Sequence, residues 1–405
     1  MARSSDQLNH WTHAVQENLP ALSKPQAVVL AMWSFAAVMA RSATLTNVVA
    51  FLAALRGAKP NSVRQRLKEW YKEKQAKKGD QRRQIAPSVC FGSLLGWVLR
   101  LWEGKRMALA FDATNLGDRY VALAVSVVFR GCAIPVAWRI LPADRKGAWE
   151  PCWRALIDEL AEGLPSEKKE EMTIIALTDR GLYARWLFEK IRSVGWHPFM
   201  RINRNGKFRP AGENRWIGTD KIVPEPGRRF RMIGTMFKTK RCRLECTLLA
   251  CWEAGYEGPW LVVTDLPPAE CEVEWYGLRA WIEQGFKCIK SSGLQWQKTR
   301  LGDAERVERL WLVYAVASLW MLSVGSEIEQ GSPEAACPSA TVLVGLASPP
   351  GTSGRPRQVR LFRLGLMAVL VSLLHGERLP LPRRLVPLPW PRGPDRSEAE
   401  YLDPT

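Results

Sequence analysis

The sequence predicts a mixed α/β protein: a strand-and-helix core of mixed sheet flanked by helices, interrupted by a β-rich insertion and preceded by an all-α N-terminal domain. Three observations carry this. Residues 8–80 show helical apolar spacing throughout. From Met107 the pattern changes to short apolar or alternating runs separated by turn residues. Residues 203–272 are rich in Gly and Arg, with short strand-like runs and no helical period. The expected segments are a helical domain at 1–100, a first part of the core at 101–204, the insertion at 205–272, a second part of the core at 273–330, and a loop, helix and Pro-rich tail at 331–405.

In the N-terminal segment, the apolar stretches 28–39 and 48–55 predict buried helices, and Lys59-Pro60-Asn61-Ser62 a turn in which Asn61 or Ser62 caps the next helix. That helix, expected over 63–78, carries Arg64, Arg66, Lys68, Lys72, Lys74, Lys77 and Lys78 against an apolar side of Leu67, Trp70 and Tyr71. Read alone, it is either a solvated basic face or a face laid along a polyanion.

In the core, the runs 107–112, 120–129 and 133–140 predict a three-stranded meander, broken at Gly117-Asp118 and Arg130-Gly131. A helix at 148–162, a strand at 173–178, a helix at 183–194 and a strand at 197–202 complete the order βββαβαβ. The insertion has strand-like runs at 229–233, 243–250 and 260–264, and helical spacing returns at 273–290 and at 304–324, the latter capped by Asp303. Beyond a Pro/Gly/Ser loop at 331–356, one amphipathic helix at 359–374 precedes a tail whose proline content predicts disorder.

Composition narrows the function. Lys plus Arg number 58 against 40 acidic residues, a formal charge of +18, which favours a polyanionic partner. The nine cysteines show no paired C-x-x-C spacing and read as reduced thiols; Cys242, Cys246 and Cys251 cluster with almost no His nearby, as packed strand residues do. Residues 1–10 are polar and lack a signal-peptide core. The apolar runs 27–40 and 311–324 fall short of the roughly 18 to 20 residues a membrane span needs, so no membrane partner is expected.

Three acidic residues stand out. Asp112 ends the run Leu109-Ala110-Phe111, and Asp179 ends the run 174–178. Either alone is a common turn starter, but two in one sheet suggest paired chemistry. Glu283 lies in a stretch where Tyr276, Arg279, Glu283 and Lys290 fall at offsets of 0, 3, 7 and 14, one narrow stripe of a helix at about 100° per residue. A carboxylate with two cations on one stripe suits a site that binds metal and phosphate together; Arg279 and Glu283 at i, i+4 also suit a plain surface ion pair.

The spacing Tyr276-x2-Arg279-x3-Glu283-x6-Lys290 resembles the YREK signature of insertion-sequence transposases of the insertion-sequence-four type, the hairpin-forming DDE group. The order of parts is similar too: a helical N-terminal domain, a first Asp on an opening strand, a second in Thr178-Asp179-Arg180-Gly181, and a β-rich stretch before the Glu. The resemblance covers roughly residues 40–325. It implies an RNase H-like catalytic core in which Asp112, Asp179 and Glu283 are catalytic and hold two Mg²⁺ ions, with Mn²⁺ able to substitute. It implies that Tyr276, Arg279 and Lys290 hold DNA phosphates; for Arg64, Arg66 and Lys68, the N-terminal position of the basic helix and the overall charge favour contact with DNA.

The expected partners are double-stranded DNA, both terminal inverted repeats and target, and a second copy of the chain in the DNA complex. The expected place is the cytoplasm, at the nucleoid of a bacterial-type cell. In related enzymes a flipped base stacks on an aromatic ring, for which Trp216, Trp252 and Trp260 are open candidates. The other readings are a nuclease that cuts without joining and an inactive or repurposed DNA-binding descendant.

Overall fold

The computed structural model describes residues 2–77, 83–144, 149–331, 338–346 and 359–393. Five helices open the chain: α1 (Ala2–Asn18), α2 (Lys24–Met39), α3 (Leu45–Arg56), α4 (Pro60–Tyr71) and α5 (Phe91–Leu101). Helix α2 is apolar nearly all round and is correspondingly buried, its one mid-helix hydroxyl, Ser34, bonding back to Leu30 O at 2.8 Å and accepting from Trp11 Nε1 at 2.9 Å. Helix α3 stops at Gly57, whose φ of 59° is the left-handed conformation a helix end favours.

The basic helix is shorter than its charge run. It begins with Pro60 in its first turn after Lys59, not after Asn61 or Ser62, and ends at Tyr71; the chain is extended at Lys72, and Lys78 lies outside the described residues. Tertiary contacts set that end. Val63, Leu67, Trp70 and Tyr71 are buried, and Trp70 Nε1 donates to Arg309 O at 2.9 Å, so the helix lasts as long as its apolar face has something to cover.

The strands are β1 (Arg106–Leu116), β2 (Tyr120–Phe129) and β3 (Cys132–Pro142), the expected meander, then β4 (Thr173–Thr178) and β5 (His197–Arg201). Between β3 and β4 run α6 (Glu150–Glu162) and a short α7 (Ser166–Glu171), and α8 (Arg185–Ser193) joins β4 to β5. Ala148, the expected start of α6, lies outside the described residues. Strands β1, β4 and β5 are parallel neighbours, so their C-terminal ends share one edge of the sheet. The near-continuous apolar sequence of β2 matches burial on both faces.

The Gly- and Arg-rich segment contributes β6 (Lys207–Pro210), β7 (Ile217–Gly218), the one-turn α9 (Thr219–Ile222), β8 (Arg229–Met236), β9 (Leu244–Cys251) and β10 (Trp260–Thr264). These strands do not form a sheet of their own. β10 pairs antiparallel with β5, and the result is one ten-stranded mixed sheet in the order β3-β2-β1-β4-β5-β10-β9-β8-β6-β7.

The expected helix 273–290 is three different helices in series: 3-10 over Val273–Ala280, α10 (Trp281–Lys287), and a π turn over Cys288–Ser292. α11 (Ala304–Glu329) follows, with Asp303 Oδ1 accepting from Arg306 N at 2.9 Å as its cap. By length and hydropathy α11 could cross a membrane, yet 94% of its apolar window is buried inside the protein. α12 (Leu361–Leu374) crosses α11 where Gly325 and Gly365 meet; a Cβ on Gly365 would lie 1.9 Å from Met321 O. The apolar face of α12 is spent on this contact.

The proline tail corrects its expectation of disorder, as far as Gly393. Trp320 Nε1 donates to Pro380 O at 2.7 Å, Ser323 Oγ to Arg384 O at 3.0 Å, and Arg130 Nη1 to Val386 O at 3.0 Å. Leu385 N donates to Leu101 O at 2.6 Å and Leu385 O accepts from Glu103 N at 2.9 Å, while the Trp390 ring meets the Trp275 edge at 4.7 Å. Prolines lack donors but keep carbonyls, and this strap offers those carbonyls to buried side chains that need them. Pro394 and the residues after it lie outside the described residues.

Candidate active site

Asp112 sits in β1 just past the buried run Met107 to Phe111, and Asp179 is the first residue beyond β4. In the parallel register Phe111 faces Thr178, so the two carboxylates leave the same end of adjacent strands. Each is held by one backbone amide: Ala113 N donates to Asp112 Oδ1 at 2.9 Å, and Leu182 N to Asp179 Oδ1 at 2.9 Å across the turn that leaves β4.

The third carboxylate arrives from α10. Arg279 Nη2 lies 3.0 Å from Asp112 Oδ2 and 3.6 Å from Asp179 Oδ2, and Nη1 lies 4.0 Å from Glu283 Oε1. One guanidinium thus sits where three carboxylates from three elements converge. Side-chain exposure climbs from 19% at Asp112 through 41% at Asp179 to 62% at Glu283, so the site opens to solvent on the helix side. Burial pushes the Asp112 carboxyl above its ordinary range, Arg279 pulls it back down, and Asp179 and Glu283 add to the rise.

Hard carboxylate oxygens around one cationic centre are the donor set that Mg²⁺ or Mn²⁺ takes. Among the described residues no three acidic, His or Cys side chains already stand at metal-binding spacing. The residue types fit a divalent ion, and Arg279 is the cation that now lies beside all three carboxylates.

The structure places the other signature residues differently from one another. Lys290 Nζ donates to Thr114 Oγ1 at 2.7 Å, and Thr114, two residues past Asp112, lies on the same strand face; burial lowers the lysine below its ordinary pKa. The π turn that carries Lys290 rotates less per residue than an α-helix, so Lys290 leaves the direction that a uniform helix from Glu283 would give it. Tyr276 is buried, its ring set edge-on to Trp260 at 5.4 Å with Arg201 at 5.9 Å, and burial raises its hydroxyl pKa.

Tyr276 and Arg279 also line a cleft of about 710 Å³ at the ends of β5 and β10, with Arg180, Arg201, Arg204 and Trp260 around it; Arg279 is its link to the carboxylates. These arginines escaped the sequence reading. Their signal was present, because Arg201 and Arg204 straddle the C-terminal end of a parallel strand, where open α/β sheets place ligands. Of the three tryptophans, Trp260 lines this cleft, Trp252 carries Arg204 at 5.1 Å, and Trp216 lies between Arg209 and Arg243.

The basic residues of α4 are not part of the carboxylate cluster. Arg64 lines a second cleft, and Arg66 and Lys68 line neither. Cys246 and Cys251 are buried in β9 and Cys242 is exposed. Cys132 and Cys288, both buried, bring their sulfurs within 3.9 Å beside α10.

Residues 143–320 match the family described as Transposase DDE domain, a catalytic phosphoryl-transfer family whose members bind DNA and generally use divalent metal ions. The matched span includes Asp179, Tyr276, Arg279, Glu283 and Lys290 and begins after Asp112. An RNase H-like core is what such a domain implies. None of the curated proteins matches the chain.

Proposed function

We propose that this chain, whose residues 143–320 form a transposase DDE domain, is a transposase of the insertion-sequence-four type that binds the ends of its element, cleaves there and joins the freed ends to target DNA. The observation that carries the reading is the meeting of Asp112, within β1, Asp179, just past the end of β4, and Glu283, on α10, around one cation. A surface ion pair between Arg279 and Glu283 needs neither aspartate.

Asp112, Asp179 and Glu283 would hold two Mg²⁺ ions, with Mn²⁺ able to replace them. When bound, the ions supply an activated water or 3′-hydroxyl and charge for the departing 3′-oxygen. The chain's own residues do the positioning. Arg279 borders both the carboxylates and the cleft, so its five N–H donors can pass from carboxylate to phosphate. Lys290, fixed by Thr114, is a point charge on the other side of Asp112. Trp260, at the cleft wall with Tyr256 and Tyr276, is the ring best placed to stack a base turned out of the duplex on the route to hairpin ends. A homodimer would bring two DNA ends together.

Incubating the wild type and Glu283→Gln with Mg²⁺ and a plasmid carrying the DNA that flanks this gene tests the reading. Double-strand breaks and hairpin ends with the wild type alone support it, provided the variant still binds within severalfold. Binding without breaks in either protein makes the chain a silent or repurposed DNA-binding descendant.

A further inference from the structure

A second cleft, of about 900 Å³, lies between the N-terminal helices and the loop that leads into α11. Four cations line it from three places in the sequence: Arg64 on α4, Arg119 in the turn between β1 and β2, and Lys298 and Arg300 in the loop. No Asp or Glu lines it. Other basic groups are paired, as in Arg306 with Glu73, Arg139 with Glu159 and Arg229 with Glu253. Among the described residues no carboxylate lies within ion-pair distance of Arg64, Lys298 or Arg300. Like charges gathered without counter-ions cost stability, which points to a ligand that supplies the negative charge.

The cleft is built and held. Arg119 Nη2 donates to Thr299 O at 3.0 Å and Tyr120 Oη to Leu301 O at 2.7 Å, so the β1–β2 hairpin fastens both sides of Arg300. Trp33, Tyr71 and Tyr314 are buried beneath. The twelve-residue helix α3 opens into the same space: Thr44 to Asn47 line it, and Thr44 makes no side-chain cap, so the first-turn amides add to the positive field.

Its position follows from the sheet. Crossing the strand ends from β5 and β10, one meets the arginine cleft, then the carboxylates at β4 and β1, then Lys290 on Thr114, then Arg119 at the turn into β2. Asp112 and Leu116 are four residue steps apart on β1, roughly 13 Å at strand rise, about the length of four base-pair steps. We infer that this second cleft holds the phosphodiester backbone of duplex DNA on the side of the cut opposite the arginine cleft, about four base pairs or more from the reacting phosphate. This rests on the transposase reading and adds where the flanking duplex lies and which residues grip it: Arg64, Arg119, Lys298 and Arg300. Their contacts are to phosphate, so they set position and not sequence.

The test is equilibrium binding of a short duplex oligonucleotide of arbitrary sequence, without divalent metal, across a salt series. The wild type is compared with Arg64→Ala/Arg300→Ala and with a charge-matched control, Lys105→Ala/Lys221→Ala. Lys105, just before β1, and Lys221, on α9, are exposed and line neither cleft. Thermal melting verifies that all three proteins fold. Losing two phosphate contacts should weaken binding roughly tenfold and reduce the slope of log affinity against log salt by about 1.8, with the control unchanged. An unchanged slope in Arg64→Ala/Arg300→Ala, with the wild type binding, overturns the cleft and leaves the transposase reading intact. A wild type that shows no salt-dependent binding overturns both.

Discussion

Arg279 Nη2 stands 3.0 Å from Asp112 Oδ2, the tightest link in a cluster where one guanidinium offsets three carboxylates. On the proposed reading, a divalent ion held by these carboxylates would compete with Arg279 for the same oxygens. Without the arginine, Asp112, Asp179 and Glu283 would face one another with no charge between them, as unfavourable as any set of like charges near a protein surface.

Arg279→Ala should therefore melt at a lower temperature than the wild type in chelator, and adding Mg²⁺ should raise its melting temperature by more than it raises that of the wild type. Differential scanning calorimetry with and without Mg²⁺ measures both. Equal Mg²⁺ shifts would mean that Arg279 does not occupy the ions' place.

Gly325 and Gly365 let α11 and α12 touch backbone to backbone. Gly365→Ala puts a methyl into Met321 O, which has no room to withdraw inside a buried helix, and should cost about 3 kcal/mol in urea unfolding. Gly57→Ala is the contrast: nothing lies within 4 Å of its added carbon, and only its left-handed φ is strained, so a loss nearer 1 kcal/mol is expected.

Glu327 is buried, and burial pushes its carboxyl up to about 7, against the pull of Arg383 and Arg384. Between its ordinary value near 4.5 and about 7, the folded chain holds a proton that the unfolded chain has lost. Stability from this group therefore falls as pH rises through that window. Glu327→Gln should remove the slope, and the wild type should lose up to roughly 3 kcal/mol relative to it between pH 4.5 and 7.5. Parallel stability profiles for the two proteins would show that Glu327 is charged when folded.

Arg106 lies 5.2 Å from the Trp275 ring and 5.6 Å from the Trp390 ring, which ties the strap to the start of β1. Trp390→Ala should cost about 1 to 2 kcal/mol and admit protease cleavage between residues 385 and 393 before the rest of the chain is cut. A digestion pattern identical to the wild type would show that the ring does not anchor the strap.

Much of the core was legible because its strands are short apolar runs between turn residues: β4 falls where the sequence places it, and β5 differs by one residue at its end. The four signature positions were legible as a spacing but not as a shape. The change from 3-10 to α to π between Val273 and Ser292 is set by packing against the sheet, which a helical wheel drawn on the residues does not contain. The clefts were hidden for a related reason. Arg180, Arg201 and Arg204, or Arg64, Arg119 and Arg300, become clusters only through strand order, and each is an ordinary surface arginine in the sequence. The strap misled because a proline-rich segment signals disorder only when nothing distant needs its backbone, and here Trp320 and Ser323 on α11, and Arg130 after β2, bond the carbonyls of Pro380, Arg384 and Val386.

That strap also puts a clock on assembly. Arg130 and Trp320 leave the ribosome well before Val386 and Pro380, and Gln7 of the first helix waits longest, for Glu377 O at 2.6 Å and Leu379 N at 2.9 Å. Until the strap is in place these polar groups lack the partners that the folded chain gives them, so the order in which the fold closes is tied to the order of the residues along the chain.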